Sequence, residues 1–346
     1  MAIANDSAVA TDVLRQIIAG LNHFDLVWTA GDGASAVSMC EHLCPDILLM
    51  DLDMPNMDGI EATRIIRRRH ACIILVVTAS VEAHTGRVFE AMGAGAADAV
   101  SAPRGGPAQD PAGSDRLVRK LRTLSLLLGE PPQREACPEP YTNPCPTQPP
   151  LVAIGASTGG PAALREILLA LPAEIPAAVA VIQHVDPQFS AGFIEWLDQF
   201  TELPVRAAVP GDRLQPGQVL VSARDDHLVL SADGRLAYTP FPRELPYRPS
   251  IDVFFESLEQ CHDNQLLGIL LTGMGRDGAA GLKTLRNAGW PTIAQDRTSS
   301  AVYGMPKAAK ELDAAAEILA LGNIGPRIVR WLEEFDCHGK REQGAH

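Results

Sequence analysis

Three side chains in the second half of the chain could together carry out nucleophilic chemistry: Ser157, His184 and Asp277. A serine hydroxyl becomes a nucleophile when an imidazole takes its proton, and the imidazole needs a carboxylate to fix its tautomer and stabilise its protonated form. Each of the three ends an apolar run. Leu151-Val-Ala-Ile-Gly-Ala precedes Ser157, Ala177-Ala-Val-Ala-Val-Ile-Gln precedes His184, and Leu266-Leu-Gly-Ile-Leu-Leu opens the stretch that reaches Asp277. Residues at the carboxyl ends of neighbouring buried strands face one rim, where open parallel sheets bind ligands. Ser157 itself has three readings. It could cap the helix that follows, belong to a phosphate-binding loop, or stand as a nucleophile in Gly155-x-Ser157-x-Gly159. The phosphate-loop reading is poor, because Gly155, Gly159 and Gly160 fit neither G-x-x-x-x-G-K-[ST] nor G-x-G-x-x-G. Asp277 has a competing role as a helix N-cap, and a lone histidine is more often structural. The order Ser, His, Asp is not the Ser, Asp, His of α/β-hydrolases. Backbone N–H groups around Thr158 or Met274 would serve as oxyanion donors.

A second set lies near the N-terminus. Asp51 ends the run Asp46-Ile-Leu-Leu-Met50, with Asp53 just beyond, and Asp6 follows a short Ala2-Ile-Ala4 stretch. If the two stretches are neighbouring strands, Asp6, Asp51 and Asp53 crowd one edge. Crowded carboxylates repel unless a cation joins them, and a few hard oxygens suit Mg2+. The competing reading is a solvated acidic rim.

The elements that must position these residues alternate. Strands are expected at 46–50, 73–77 and 96–100, with helices at 13–21, 33–43, 59–69, 86–92 and 114–128. In the second half, strands are expected at 151–156, 177–182, 218–221 and 266–271, with a hairpin of 227–230 and 235–238 turning at Asp233-Gly234. Helices follow Pro161, Arg248-Pro-Ser-Ile-Asp252 and Gly278. Such alternation predicts α/β architecture: two doubly wound parallel sheets. Domains are expected at 1–129 and 151–340. Residues 130–150, dense in proline, read as a semi-extended tether.

The chain has 346 residues, 46% hydrophobic and 21% charged, as globular proteins do. Its formal net charge of −13 argues against nucleic acid or an anionic membrane as main partner. No apolar run is long enough to be membrane-inserted, and no signal peptide precedes the first strand. The seven cysteines are odd in number and scattered, which suggests reduced thiols, a cytoplasmic location and no zinc.

Two resemblances then become specific. Asn5-Asp6-Ser7, Met50-Asp51-Leu-Asp-Met-Pro55, Met57-Asp-Gly59 and Thr78-Ala79 resemble the receiver domain of two-component response regulators. That resemblance implies a flavodoxin-like fold. It also implies a phosphoryl group accepted by Asp51 from a histidine kinase, Mg2+ held by Asp6, Asp51 and the backbone carbonyl of Asp53, and a hydrogen bond from Thr78 to the phosphoryl group. Two departures are visible: Asn5 stands where receivers have an acid, and Ala102, before Pro103, where they have a lysine. Arg104 lies two residues further on.

Ile154-Gly-Ala-Ser-Thr-Gly-Gly160, Gln183-His184, Arg248-Pro-Ser-Ile-Asp252, Thr272-Gly-Met-Gly-Arg-Asp-Gly278, Thr292-Ile-Ala-Gln-Asp296 and Tyr303-Gly-Met-Pro306 resemble the chemotaxis methylesterase family, CheB. The resemblance implies Ser157 as nucleophile, His184 as base and Asp277 as orienting acid. It implies hydrolysis of glutamate γ-methyl esters on a methylated chemoreceptor-type transducer, releasing methanol, and deamidation of receptor glutamines, with no cofactor in the catalytic domain. Trp28-x-Ala-Gly-Asp-Gly33, Arg87-Val-Phe-Glu-Ala-Met-Gly93, His184-Val-Asp186 and Asp252-Val-Phe-Phe-Glu-Ser257 resemble the WspF branch, whose output is cyclic-di-GMP rather than flagellar steering. In this layout the unphosphorylated receiver is expected to hinder access to Ser157. A phosphorylation-dependent docking module without esterase activity is the alternative from another class.

Overall fold

The computed structural model describes residues 1–21, 24–78, 81–126, 148–262 and 264–343. The chain divides into two compact units, Met1–Glu135 and Ala136–His346. Most of the expected tether, 130–147, lies outside the described residues.

The first unit runs β1 (Ala2–Ala4), α1 (Ala8–Ala19), β2 (Trp28–Ala30), α2 (Gly33–His42), β3 (Ile47–Met50), α3 (Gly59–Arg69), β4 (Ile73–Thr78), α4 (Val81–Gly93), β5 (Asp98–Ser101) and α5 (Pro111–Leu126). Its strands form one five-stranded parallel sheet in the order β2-β1-β3-β4-β5. Strands with helices on both faces are buried throughout, so they read as unbroken apolar runs. Ile47 to Met50 and Ile73 to Val77 are all buried. Helix starts are set by short acceptors: Ser7, Asp32 and Asp58 take N–H bonds from Ala10, Ser35 and Glu61. β2 was not among the expected strands. It is three residues long, too short for a period to show.

The second unit runs β6 (Leu151–Ala156), α6 (Gly160–Leu169), β7 (Ala178–Gln183), α7 (Pro187–Asp198), β8 (Val205–Ala207), β9 (Val219–Val221), β10 (His227–Leu230), β11 (Leu236–Thr239), α8 (Ile251–Cys261), β12 (Leu266–Leu270), α9 (Ala279–Asn287), β13 (Thr292–Gln295), α10 (Met305–Glu311), β14 (Glu317–Leu319) and α11 (Leu321–Gln343). Seven strands form a parallel sheet in the order β14-β13-β12-β6-β7-β9-β8. β10 and β11 pair apart as an antiparallel hairpin. Gly234, at φ +73°, supplies its turn. The central strands β12, β6 and β7 are fully buried. Phe254, Phe255 and Leu258 of α8 pack with Leu282 and Leu285 of α9 in the same core. The order places β6 between β12 and β7, so the ends of these strands are adjacent.

Candidate active site

β6 delivers Ser157. The strand ends at Ala156, and the Ser157 N–H donates to the Thr272 carbonyl at 3.1 Å, beyond the end of β12. The chain then turns through Gly159, at φ +78°, where a side chain would meet Ala301 at 2.5 Å. Gly159 is the cap residue of α6, and no side chain caps this helix. Ser157 is therefore not spent as an N-cap. It is buried, 6% exposed.

β7 delivers His184. Ala156 pairs with Gln183 in parallel register, so Ser157 and His184 are the next residues on adjacent strands. The His184 N–H donates to the Ala156 carbonyl at 3.1 Å. Gln183 ties both strand ends, its amide donating to the carbonyls of Ser157 and His184, each at 2.9 Å. Gly160 is required beside it, because a Cβ there would lie 2.0 Å from the Gln183 Oε1. Asp186, just beyond, caps α7 by accepting the Gln188 N–H.

Asp277 closes the arrangement from the loop after β12. Its Oδ2 is 2.8 Å from the His184 Nε2 and accepts the Ile251 N–H at 2.7 Å. Its Oδ1 accepts the Ser250 hydroxyl at 2.7 Å and the Asp252 N–H at 3.3 Å. The helix after Asp277 starts on Gly278, at φ +86°, with no side-chain cap. The carboxylate thus caps nothing in its own helix and instead sits at the N-terminus of α8, where backbone donors and the helix dipole favour a negative charge. Burial pushes its carboxyl up. The His184 hydrogen bond, the charge on His184 once its ring is protonated, and the donors of α8 outweigh burial and hold it down to about 2. An ionised Asp277 has no proton to give, so the His184 Nε2 carries one and donates it. The neutral ring then offers Nδ1 as acceptor. That atom is buried and has no hydrogen-bond partner among the described residues. His184 and Asp277 are joined. Ser157 lies beside them without a hydrogen bond to His184 among the described residues.

Thr158 and Met274 flank the same point. The Thr158 carbonyl accepts the Thr272 hydroxyl at 2.9 Å. Gly273 precedes Met274, and a Cβ on it would lie 2.8 Å from the Ser157 Cβ, so the two loops meet directly over the serine.

In the first unit, β1 and β3 are neighbours. The Asp51 N–H donates to the Ala4 carbonyl at 2.9 Å, which brings Asp6 and Asp51 to one edge. Met50 pairs with Val76, so buried Thr78 stands at the same edge on β4. Burial raises the Asp51 carboxyl, and the charges of Asp6 and Asp53 add to that, against the N–H groups of Leu52 and Asp53. The Asp53 side chain pairs with Arg87 of α4, which also reaches Asp58 at 3.1 Å and the Leu52 carbonyl at 3.4 Å. The Asp53 carboxylate is thereby engaged elsewhere, leaving its main chain as the candidate donor. Among the described residues no group of three or more His, Cys, Asp or Glu side chains is arranged to hold a metal ion. Two carboxylates and a carbonyl still form the hard oxygen set that Mg2+ takes. Asn5 is buried, and its Oδ1 accepts the Ser7 N–H at 2.8 Å in a local turn. The Ala102 N–H bonds the Thr78 carbonyl. Arg104 is exposed, with its backbone held by Asp110.

Gln183, Ser250 and Arg87 carry much of this geometry without having been assigned roles from sequence. Gln183 and Ser250 stand within the motifs quoted above, but their partners are distant in sequence, and spacing alone does not reveal them.

The fold and site together define a two-part class: a receiver-like sheet with an acidic edge, and a doubly wound domain with serine, histidine and aspartate on one rim. The family model for the response regulator receiver domain matches residues 1–105, and that for CheB methylesterase matches residues 152–328. The chain belongs to the CheB methylesterase family. It is 50% identical over 341 residues to protein-glutamate methylesterase/protein-glutamine glutaminase 2 of Cupriavidus metallidurans, covering 98% of each chain. It is 51% identical over 329 residues to the protein of that name in Burkholderia lata, covering 94% of this chain and 96% of the other. The Thermotoga maritima CheB methylesterase catalytic domain superposes with a TM-score of 0.51 at 32% identity, covering 53% of this chain and 98% of that domain.

Proposed function

We propose that the protein hydrolyses glutamate γ-methyl esters on chemoreceptor-type transducers under the control of phosphorylation at Asp51, and that it deamidates receptor glutamines at the same site. The observation that carries this is the buried His184–Asp277 pair on the strand end next to that of Ser157, with the His184 Nδ1 left without a hydrogen-bond partner among the described residues. In the first step the Ser157 Oγ forms a bond to the ester carbonyl carbon and His184 Nδ1 takes its proton. Asp277, held ionised by its bonds to His184 and the start of α8, stabilises the imidazolium. The backbone N–H groups of Thr158 and Met274 receive the oxyanion. Its collapse breaks the bond to methoxide, which takes the proton from His184 and leaves as methanol. Water then attacks the acyl-serine by the same relay, giving glutamate and free Ser157. With a glutamine side chain, ammonia leaves in place of methanol.

In the receiver, Asp51 accepts a phosphoryl group from a histidine kinase, and Thr78 hydrogen-bonds it. Asp6, Asp51 and the Asp53 carbonyl would hold Mg2+, which would neutralise charge on the phosphoryl group when bound. The pathway output is flagellar or cyclic-di-GMP signalling, and the WspF-like motifs favour the latter. No helix among the described residues is long and apolar enough to cross a membrane, and we place the enzyme in the cytoplasm beside its receptor.

The test is methanol release from receptor membranes carrying labelled methyl esters. Wild type should release methanol faster with a phosphoryl donor, and Ser157→Ala should release none. Equal release by Ser157→Ala would overturn the assignment.

A further inference from the structure

Tyr247 lies in the segment between β11 and α8 and plays no part in the relay described above. Its ring stacks on the imidazole of His184, with centroids 4.4 Å apart and planes within 2°. Three residues on, Ser250 donates to Asp277. One short stretch therefore grips both partners, an aromatic face on the imidazole and a hydroxyl on the carboxylate. The hydrogen bond from Nε2 to Asp277 restrains His184 within its ring plane, but it does little against tilting out of that plane. The stacked ring supplies that second restraint.

We infer that Tyr247 is a positioning residue for His184, holding the ring plane that aims Nδ1 at Ser157 and favouring the imidazolium formed as Ser157 attacks. This rests on the reading of His184 as the base. The face of a tyrosine ring is electronegative, so it attracts a cation above it more than a neutral ring. The preference acts on the state in which His184 holds the serine proton, which is how an interaction raises turnover and not merely binding. The phenol oxygen is not needed for this. The aromatic face is.

The other polar and charged groups around the imidazole are Asp277 after β12, Ser157 after β6, Asp186 after β7, His227 of β10, and Arg248 and Asp252 at the start of α8. His227 is committed: its Nδ1 accepts the Ser250 N–H at 3.0 Å and its Nε2 bonds the Pro242 carbonyl at 3.0 Å. Asp186 and Asp252 cap α7 and accept the Gly281 N–H, respectively. Tyr247 is the ring stacked on the imidazole face, so removing that face should show as a change in His184 itself.

The experiment compares wild type, Tyr247→Phe and Tyr247→Leu in the full-length enzyme. Leucine keeps the site filled and dry but has no π face. Methanol release is measured against pH, and the His184 imidazole is titrated by NMR in each background carrying Ser157→Ala. Tyr247→Leu should lower kcat roughly 2- to 30-fold, with KM little changed. It should move the acidic limb of the kcat profile, and the NMR midpoint, to lower pH by roughly 0.3 to 1.5 units, the same fold-change expressed on the pH scale. Tyr247→Phe should behave as wild type. An unmoved or upward-shifted midpoint in Tyr247→Leu, or a phenylalanine variant as impaired as the leucine one, would overturn the inference. Full activity in His184→Ala would overturn the underlying reading instead, so the two failures are told apart.

Discussion

Replacing Asp277 by Asn tests the centre of the arrangement in two ways at once. The carboxylate accepts four bonds, from the His184 Nε2 and Ile251 N–H on one oxygen and from the Ser250 hydroxyl and Asp252 N–H on the other. An amide has one accepting oxygen. Whichever way it is turned, its NH2 faces an N–H of α8, or it faces the imidazole and forces the Nε2 to accept. In the latter case His184 carries its proton on Nδ1 and cannot take one from Ser157. The expected loss in kcat is on the order of 10^3- to 10^4-fold, the scale on which a wrong tautomer acts in Ser-His-Asp relays. Stability should also fall. Asp277 is held below its usual 3.8, to about 2, by the His184 hydrogen bond and the donors of α8, so its ionised form contributes stability at pH 7. Because the folded value is depressed, this stabilisation is fully present above the unfolded value. It is lost as pH falls through the folded one. Urea unfolding of wild type and variant at pH 7 and pH 3 reads the difference. A variant within tenfold of wild-type kcat, or a stability gap that does not narrow with acid, would refute the reasoning.

Ser250→Ala should remove both the hydroxyl bond to Asp277 and the N-cap of α8. It should cost about 1–2 kcal/mol in urea unfolding, together with a fall in kcat. Gly160→Ala must push against the Gln183 amide that ties Ser157 to His184. A loss of about 1–3 kcal/mol is expected, with an unchanged melting temperature counting against it. Asp51→Asn should abolish stimulation by a phosphoryl donor while leaving unstimulated methanol release in place, and radiolabel from the donor should no longer be retained on the protein.

Much of this protein is determined by its sequence alone. Helices α3 and α9 fall on Gly59–Arg69 and Ala279–Asn287, because capping residues and apolar periods are local properties. β3, β4, β6, β7 and β12 are legible as unbroken apolar runs, since strands covered on both faces have no polar side to show. The residues at their ends, Asp51, Ser157 and His184, stand out for the same reason. The short outer strands β2, β8 and β14 escape such reading, because three residues carry no period and, unlike β1 and β9, they mix exposed or half-buried positions into the run. The competing roles of Ser157 and Asp277 as helix caps were equally compatible with the sequence. The fold decided between them by starting both helices on left-handed glycines, Gly159 and Gly278. Tertiary structure also decided which residues serve the site. His184 meets Asp277 across 93 positions because β6 lies between β7 and β12, an order that no local pattern encodes. Asp277 keeps its charge because His184 and the first backbone donors of α8, which begins 26 residues upstream of it, both meet it there. Gln183, Ser250 and Tyr247 act through partners that only this packing supplies, and so their types were visible in the sequence while their work was not.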